Sequence, residues 1–279
     1  MITVNIFDNT CQHHLKEDGY WTSTDKVKPK HIQFLQKLYN YDGITLFTDD
    51  YILSEEVERV NSKLKVAWCL ESPAVQPVVH NYIERVEHKF DYIFTYRNDL
   101  IKAKPQKYFP NSPGGTYLRE QDFGLYQDQK TKNCSIILSG KNQFEGHILR
   151  HQIYHNCIGI DSYGWGTHNG LLENKIDAFK NYMFSIIIEN TRQTHYFTEK
   201  LIDCLLAGSI PIYWGAPNIG DYFNINGFVI FNSYNELVNT KLSKTVYEQK
   251  KRYVEENYKL AKKYISSDDV LAEKLIKLI

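Results

Sequence analysis

The sequence predicts two parallel α/β lobes, on three observations. Short β-branched and aromatic runs alternate with helical patterns, the alternation occurs twice with a turn-rich stretch between, and 279 residues are too many for one small core. In the first half, residues 2–7, 44–47, 64–70 and 91–96 have strand character, separated by helical patterns over 30–39, 55–63 and 78–90. Phe109, Asn111, Pro113, Gly114 and Gly115 then mark turns, and the polar, aperiodic stretch 127–133 is the expected linker. Beyond it, strands are expected at 134–139, 157–160, 183–188, 209–214 and 228–231, and charged helices close the chain over 247–264 and 270–279. The expected division is 1–127, 128–245 and a closing helical segment 246–279, with the two Rossmann-like lobes facing a cleft. Ligands of such sheets sit beyond the carboxyl ends of the strands, where strand order reverses.

Composition bounds the function. Lys plus Arg and Asp plus Glu each number 33, so no net field draws the molecule to nucleic acid or to an anionic membrane. No apolar run approaches the roughly 20 residues that span a bilayer, and the amphipathic segment around Lys274 and Lys277 is short enough to allow at most a weak peripheral association. The start has no charged leader followed by an apolar core, and the five cysteines contain no CxxC pair. A cytoplasmic protein with buried thiols is the expectation.

The chemistry concentrates in residues 183–215, MFSIIIENTRQTHYFTEKLIDCLLAGSIPIYWG. They form strand, loop, helix and strand. Thr198 suits an N-cap, Glu199 suits the positive end of the helix dipole, Leu201, Ile202, Leu205 and Leu206 make an apolar stripe, and Gly208 stops the helix where positive φ is needed. The loop delivers Tyr196, Glu199 and Lys200 to a helix N-terminus suited to a diphosphate, where Lys200 adds a full charge.

An acidic residue and Asn, then Tyr-x-Thr-Glu-Lys-Leu, then Leu-Ala-Gly-Ser-Ile-Pro-Ile-Tyr-Trp-Gly at these spacings resembles the donor-binding signature of the α-1,3-fucosyltransferases, the bacterial members above all. Upstream, Trp68-Cys69-Leu70-Glu71-Ser72-Pro73 ends a strand with a carboxylate where that family carries its general base. The strand at Cys134 followed by Arg150 on a helix resembles the family's strand and diphosphate-binding arginine. The resemblance implies a GT-B type fold and an inverting displacement without a resident cofactor or metal. It implies fucose transfer from GDP-fucose to a glycan hydroxyl, with N-acetylglucosamine in a surface polysaccharide as the expected acceptor. It makes Glu71 the base and Arg150, Glu189, Asn190, Tyr196, Glu199 and Lys200 the donor-binding set, Glu199 beside the sugar ring, where an oxocarbenium-like state needs a carboxylate.

Blander candidates stay in view. His147, His151 and His155 recur at the i, i+4 spacing of zinc ligands, but no HExxH pattern or nearby cysteine completes a site, and packing or acceptor contact is preferred. Gly114-Gly115 lacks the following Lys-Ser/Thr of a phosphate loop and is expected to be a turn. His13-His14 and Asp49-Asp50 receive no role. Two competing functions remain at this point: the same fold using another nucleotide hexose such as UDP-galactose, and a non-catalytic nucleotide-sugar or glycan-binding module.

Overall fold

A computed structural model describes residues 1–9, 22 and 26–279. Cys11, His13 and His14 lie outside the described residues. The chain divides into two units: Met1–Pro113 with Gln193–Tyr196 and Ser266–Ile279, and Gly114–Arg192 with Phe197–Ile265. The division thus falls after Pro113 rather than in the polar stretch 127–133, and the closing segment is split between the units.

Unit 1 is built on a six-stranded sheet of order β2-β1-β3-β4-β5-β6. The strands are β1 (Ile2–Phe7), β2 (Ile32–Gln36), β3 (Asn40–Thr48), β4 (Asn61–Trp68), β5 (Tyr92–Thr95) and β6 (Tyr108–Pro110), and every pairing is parallel. Helices α1 (Glu56–Arg59), α2 (Pro77–Val86) and α3 (Asn98–Ala103) connect them. One face of the sheet packs Val79 and Ile83 of α2 against Phe7, Phe47 and Ile93. The other face receives Leu271, Ala272 and Leu275 of the C-terminal helix α8 (Ser267–Leu278), which explains why the end of the chain belongs to this unit. Lys274 completes the attachment by donating to the carbonyls of Pro110 and Asn111 at 2.7 and 2.6 Å. That lysine, in a segment expected to close the fold, is held inside it. Among the described residues no helix is long and apolar enough to cross a membrane.

Two expectations for this half fail. Residues 30–39, expected to be helical, contain strand β2: Ile32 and Phe34 point inward with Gln33 exposed between them, a period of two that the nearby Leu35, Leu38 and Tyr39 obscure in the sequence. The helix expected over 55–63 stops at Arg59, and β4 begins at Asn61.

Unit 2 holds a five-stranded sheet of order β11-β10-β9-β7-β8, made of β7 (Lys132–Leu138), β8 (Asp161–Gly164), β9 (Tyr182–Ile188), β10 (Ile210–Trp214) and β11 (Val229–Ile230), again all parallel. Its helices are α4 (Glu145–Asn156), α5 (Glu199–Leu206), α6 (Tyr234–Val238) and α7 (Lys244–Ala261). All seven residues of β9 are buried, as a central parallel strand covered on both faces requires. The strand expected at 157–160 forms directly after it instead, as β8, because it pairs through Asp161 to Gly164 with Ser135 to Leu138. Both sheets have the doubly wound order in which the chain leaves one strand, builds a neighbour on one side and returns to the other. The reversal falls between β1 and β3 in unit 1 and between β7 and β9 in unit 2.

Helix α5 forms as its residues dictate. Thr198 at its N-cap has extended backbone and accepts from the Lys200 N–H, while Leu201, Ile202, Leu205 and Leu206 are fully or almost fully buried. Gly208, just beyond the end, has φ of +64°, and a Cβ there would lie 2.1 Å from the Leu125 carbonyl oxygen. Gly208→Ala therefore combines left-handed backbone strain with a backbone clash. It is expected to cost about 2 kcal/mol or more, since the conformational term alone is roughly 1–2 kcal/mol, read as a lower urea midpoint with unchanged slope.

Candidate active site

Unit 2 contains a cavity of about 260 Å³ at the carboxyl ends of β7 and β9, the place where its strand order reverses. Leu138 and Ser139 wall one side and Ile186 to Ile188 the other, and the polar lining includes Lys141, His147, Arg150, Lys175, Asn190, Glu199 and Lys200. Four residues expected from the sequence, Arg150, Asn190, Glu199 and Lys200, thus converge there.

The start of α4 brings in Arg150 and His147. Gly146 permits this docking: its N–H donates to the Asn190 carbonyl at 3.0 Å, and a Cβ would stand 1.8 Å from the Glu189 carbonyl oxygen. Four residues on, the Arg150 guanidinium donates from Nε to the Gly146 carbonyl at 3.1 Å and from Nη2 to the Asn190 side-chain oxygen at 2.9 Å. Both acceptors are neutral. His147, 4% exposed, is pushed down to about 4 by burial and then by the charges of Arg150, Lys200 and Lys141. It is a neutral imidazole at physiological pH inside a positive field.

The start of α5 brings in Glu199 and Lys200. Its geometry rests on Glu189, which has no exposed surface and accepts from the Thr198 N–H at 2.9 Å and the Thr198 hydroxyl at 2.7 Å. Burial raises the Glu189 carboxyl above its ordinary range despite Lys200 at 3.9 Å. Glu189 is accordingly a strut that ties the end of β9 to the start of α5, and it does not line the cavity. Lys200 donates to Thr198 Oγ1 at 3.1 Å and pairs with Glu199 at 3.2 Å. Burial acts to raise the Glu199 carboxyl, but Lys200 and Lys175 prevail and hold it down to about 2. Glu199 is therefore an ionised acceptor in the cavity.

The remaining expected residues belong to unit 1. Tyr196 is 4% exposed, and its ring meets Tyr96 edge-on at 5.3 Å. Glu71 follows β4 and is half-buried, with its backbone held on both sides: its N–H donates to Asp49 Oδ1 at 3.3 Å and its carbonyl meets His80 Nε2 at 2.9 Å. Asp49, given no role from the sequence, thus pins that strand end. Gly114 and Gly115, expected to be a turn, instead run with positive φ beside the start of α5: Gly114 bridges to Thr198, and their N–H groups donate to the carbonyls of Phe197 and Tyr264 at 3.1 and 2.8 Å. Of the histidine series, His147 lines the cavity and the His151 and His155 rings stack at 6.5 Å, with no metal-binding cluster of three or more His, Cys, Asp or Glu among the described residues. Lys175 and its partner Asp203 were not singled out from the sequence. Asp203 lies one turn after Glu199, the spacing that places both on one helix face, and this was the available signal.

Two doubly wound parallel units with a cationic pocket at a strand-order reversal define a protein built on the GT-B fold. The model of glycosyltransferase family 10 (fucosyltransferase), C-terminal part, matches residues 127–269. The chain belongs to that family. A fucosyltransferase-like protein of Arabidopsis thaliana is 46% identical over 68 residues, 23% of this chain and 13% of the relative. Alpha-(1,3)-fucosyltransferase FucT of Helicobacter pylori is 33% identical over 164 residues, 53% of this chain and 32% of the relative. The matched stretches thus span less than half of these relatives' lengths. A crystal structure of an α1,3-fucosyltransferase with GDP superposes with a TM-score of 0.55 at 17% identity, covering 99% of this chain and 89% of that one, and shows the shared fold.

The Gly146 contact gives a direct check of how the site is assembled. Gly146→Ala is expected to push the first turn of α4 off the Glu189-Asn190 backbone, costing about 1–3 kcal/mol as overpacking does. Denaturant melts should show that loss, and titration with GDP should show weakened binding.

Proposed function

We propose that the protein transfers fucose from GDP-fucose to a hydroxyl of a glycan acceptor, inverting the anomeric centre without a divalent metal. The observation that carries this reading is the grouping of Arg150, Lys200 and a neutral His147 at the strand-order reversal of unit 2, a cationic lining that suits a diphosphate. The names of the relatives support the sugar and the linkage class, and the superposed α1,3-fucosyltransferase, crystallised with GDP, supports that nucleotide.

In this reading Glu71 is the base. Its pinned strand-end backbone gives the carboxylate a fixed origin, as proton transfer in a displacement demands. It takes the acceptor hydroxyl's proton as that oxygen bonds to the anomeric carbon and the carbon–phosphate-oxygen bond breaks, leaving its electron pair on GDP. Arg150 and Lys200 stabilise the charge that develops on the diphosphate, and the ionised Glu199 faces the positive charge that develops on the ring. Asn190 orients Arg150 through the bond already described. The described cysteines, Cys69, Cys134, Cys157 and Cys204, are free thiols, which supports a cytoplasmic location.

Two substitutions separate the roles. Glu71→Gln is expected to abolish transfer while leaving GDP affinity within about twofold, and transfer at the wild-type rate would remove Glu71 from the mechanism. Lys200→Met is expected to weaken GDP binding about tenfold to a hundredfold, because a hydrogen bond to a charged group contributes about 1.5–3 kcal/mol. Calorimetry with GDP, GDP-fucose and UDP-galactose checks the donor, and a preference for UDP-galactose would overturn it.

A further inference from the structure

The cavity of unit 2 has two electrostatic poles. At one, the charges of Arg150, Lys200 and Lys141 act on His147, whose basicity is lowered first by burial and then by those charges. Glu199, paired with Lys200 at 3.2 Å, also feels the charge of Lys175, which marks the other pole. The Lys175 ammonium pairs with Asp203 Oδ2 at 2.6 Å and lies 4.8 Å from the centre of the Tyr117 ring. Asp203 has no exposed surface and is fixed in turn by the Thr116 hydroxyl at 2.5 Å and the Tyr117 N–H at 3.0 Å. Among the described residues, Asp203 is the one ion-pair partner of Lys175, and Glu199, one helical turn from Asp203, lines the same cavity. Lys175 and Asp203 form a pair that is neutral as a unit, and Glu199 is already paired with Lys200 at 3.2 Å, so Lys175 brings no net positive charge to this end for a diphosphate. This end suits a neutral polyhydroxyl group, whose oxygens can accept from an ammonium and whose hydroxyls can donate to a carboxylate.

We propose that Lys175 is a further donor-binding residue and acts on the transferred hexose, donating to one hydroxyl while Glu199 accepts from its neighbour. Asp203 positions Lys175 from behind without touching the ligand. The arrangement sets the direction of the donor in the cavity: diphosphate toward Arg150 and Lys200, sugar toward Glu199 and Lys175. It also selects for a hexose with two adjacent free hydroxyls. The inference rests on the reading of the ligand as a nucleotide sugar.

Calorimetric titration of the full chain with GDP and with GDP-fucose tests it. Lys175→Met is expected to weaken GDP-fucose binding at least tenfold and to change GDP binding less than twofold, with Lys175→Arg recovering part of the loss. Because Lys175→Met leaves a buried carboxylate without its cation, the double variant Lys175→Met with Asp203→Asn removes both charges and is expected to give the same ligand pattern in a more stable protein. An equal loss for both ligands would move Lys175 to the phosphates and overturn the assignment. Unchanged affinity for both would make it a structural lysine and overturn it too. A wild type that prefers another nucleotide hexose corrects the donor alone, and the comparison of that hexose with its free nucleotide then decides Lys175.

Discussion

The candidate site depends on one buried carboxylate. Glu189 joins the end of a central strand to the first turn of α5 through two hydrogen bonds to Thr198, and Thr198 in turn caps the helix. Burying a carboxylate is costly unless it is hydrogen-bonded, and here the bonds fix the direction in which Glu199 and Lys200 leave the helix. The Glu189 and Asn190 carbonyls, on the same short segment, also receive α4 through Gly146. One loop therefore sets both helices that supply cations to the cavity, and the ligand-facing groups inherit their precision from groups that face no ligand.

The opposed fates of the two neighbouring glutamates follow from environment alone. Glu189 is enclosed and raised by burial. Glu199 is half-buried, and there two lysines outweigh desolvation and hold it ionised. A family signature that contains both carboxylates does not distinguish them, since their difference lies in what surrounds them. The same holds for His147, whose burial and three neighbouring cations keep it neutral. Two carboxylates and an imidazole thus take three roles: strut behind the cavity, ionised acceptor and neutral polar wall.

Much of this was legible in the sequence where local grammar and tertiary need agree. The cap, stripe and stop of α5 are short-range signals, and the structure places Thr198, the buried leucines and the positive φ of Gly208 where those signals put them. Strand β2 was not legible, because Leu35, Leu38 and Tyr39 imitate helical spacing and only pairing with β1 selects the alternation of Ile32 and Phe34. The division after Pro113 was hidden for a similar reason: the polar stretch chosen as linker contains Lys130, which is buried and donates to the carbonyls of Phe179 and Ala207. Lys175 was hidden because its partner Asp203 is distant in the chain and only packing brings them to 2.6 Å.

The central claim is that the strand-order reversal of unit 2 grips a nucleoside diphosphate through the first turns of α4 and α5. Hydrogen exchange of the full chain with and without GDP tests it most directly. The account predicts added protection at the amides of residues 145–150 and 199–201, with the far ends of β7 and β9 unchanged. Protection confined to other segments, with those amides exchanging as in the free protein, would contradict it.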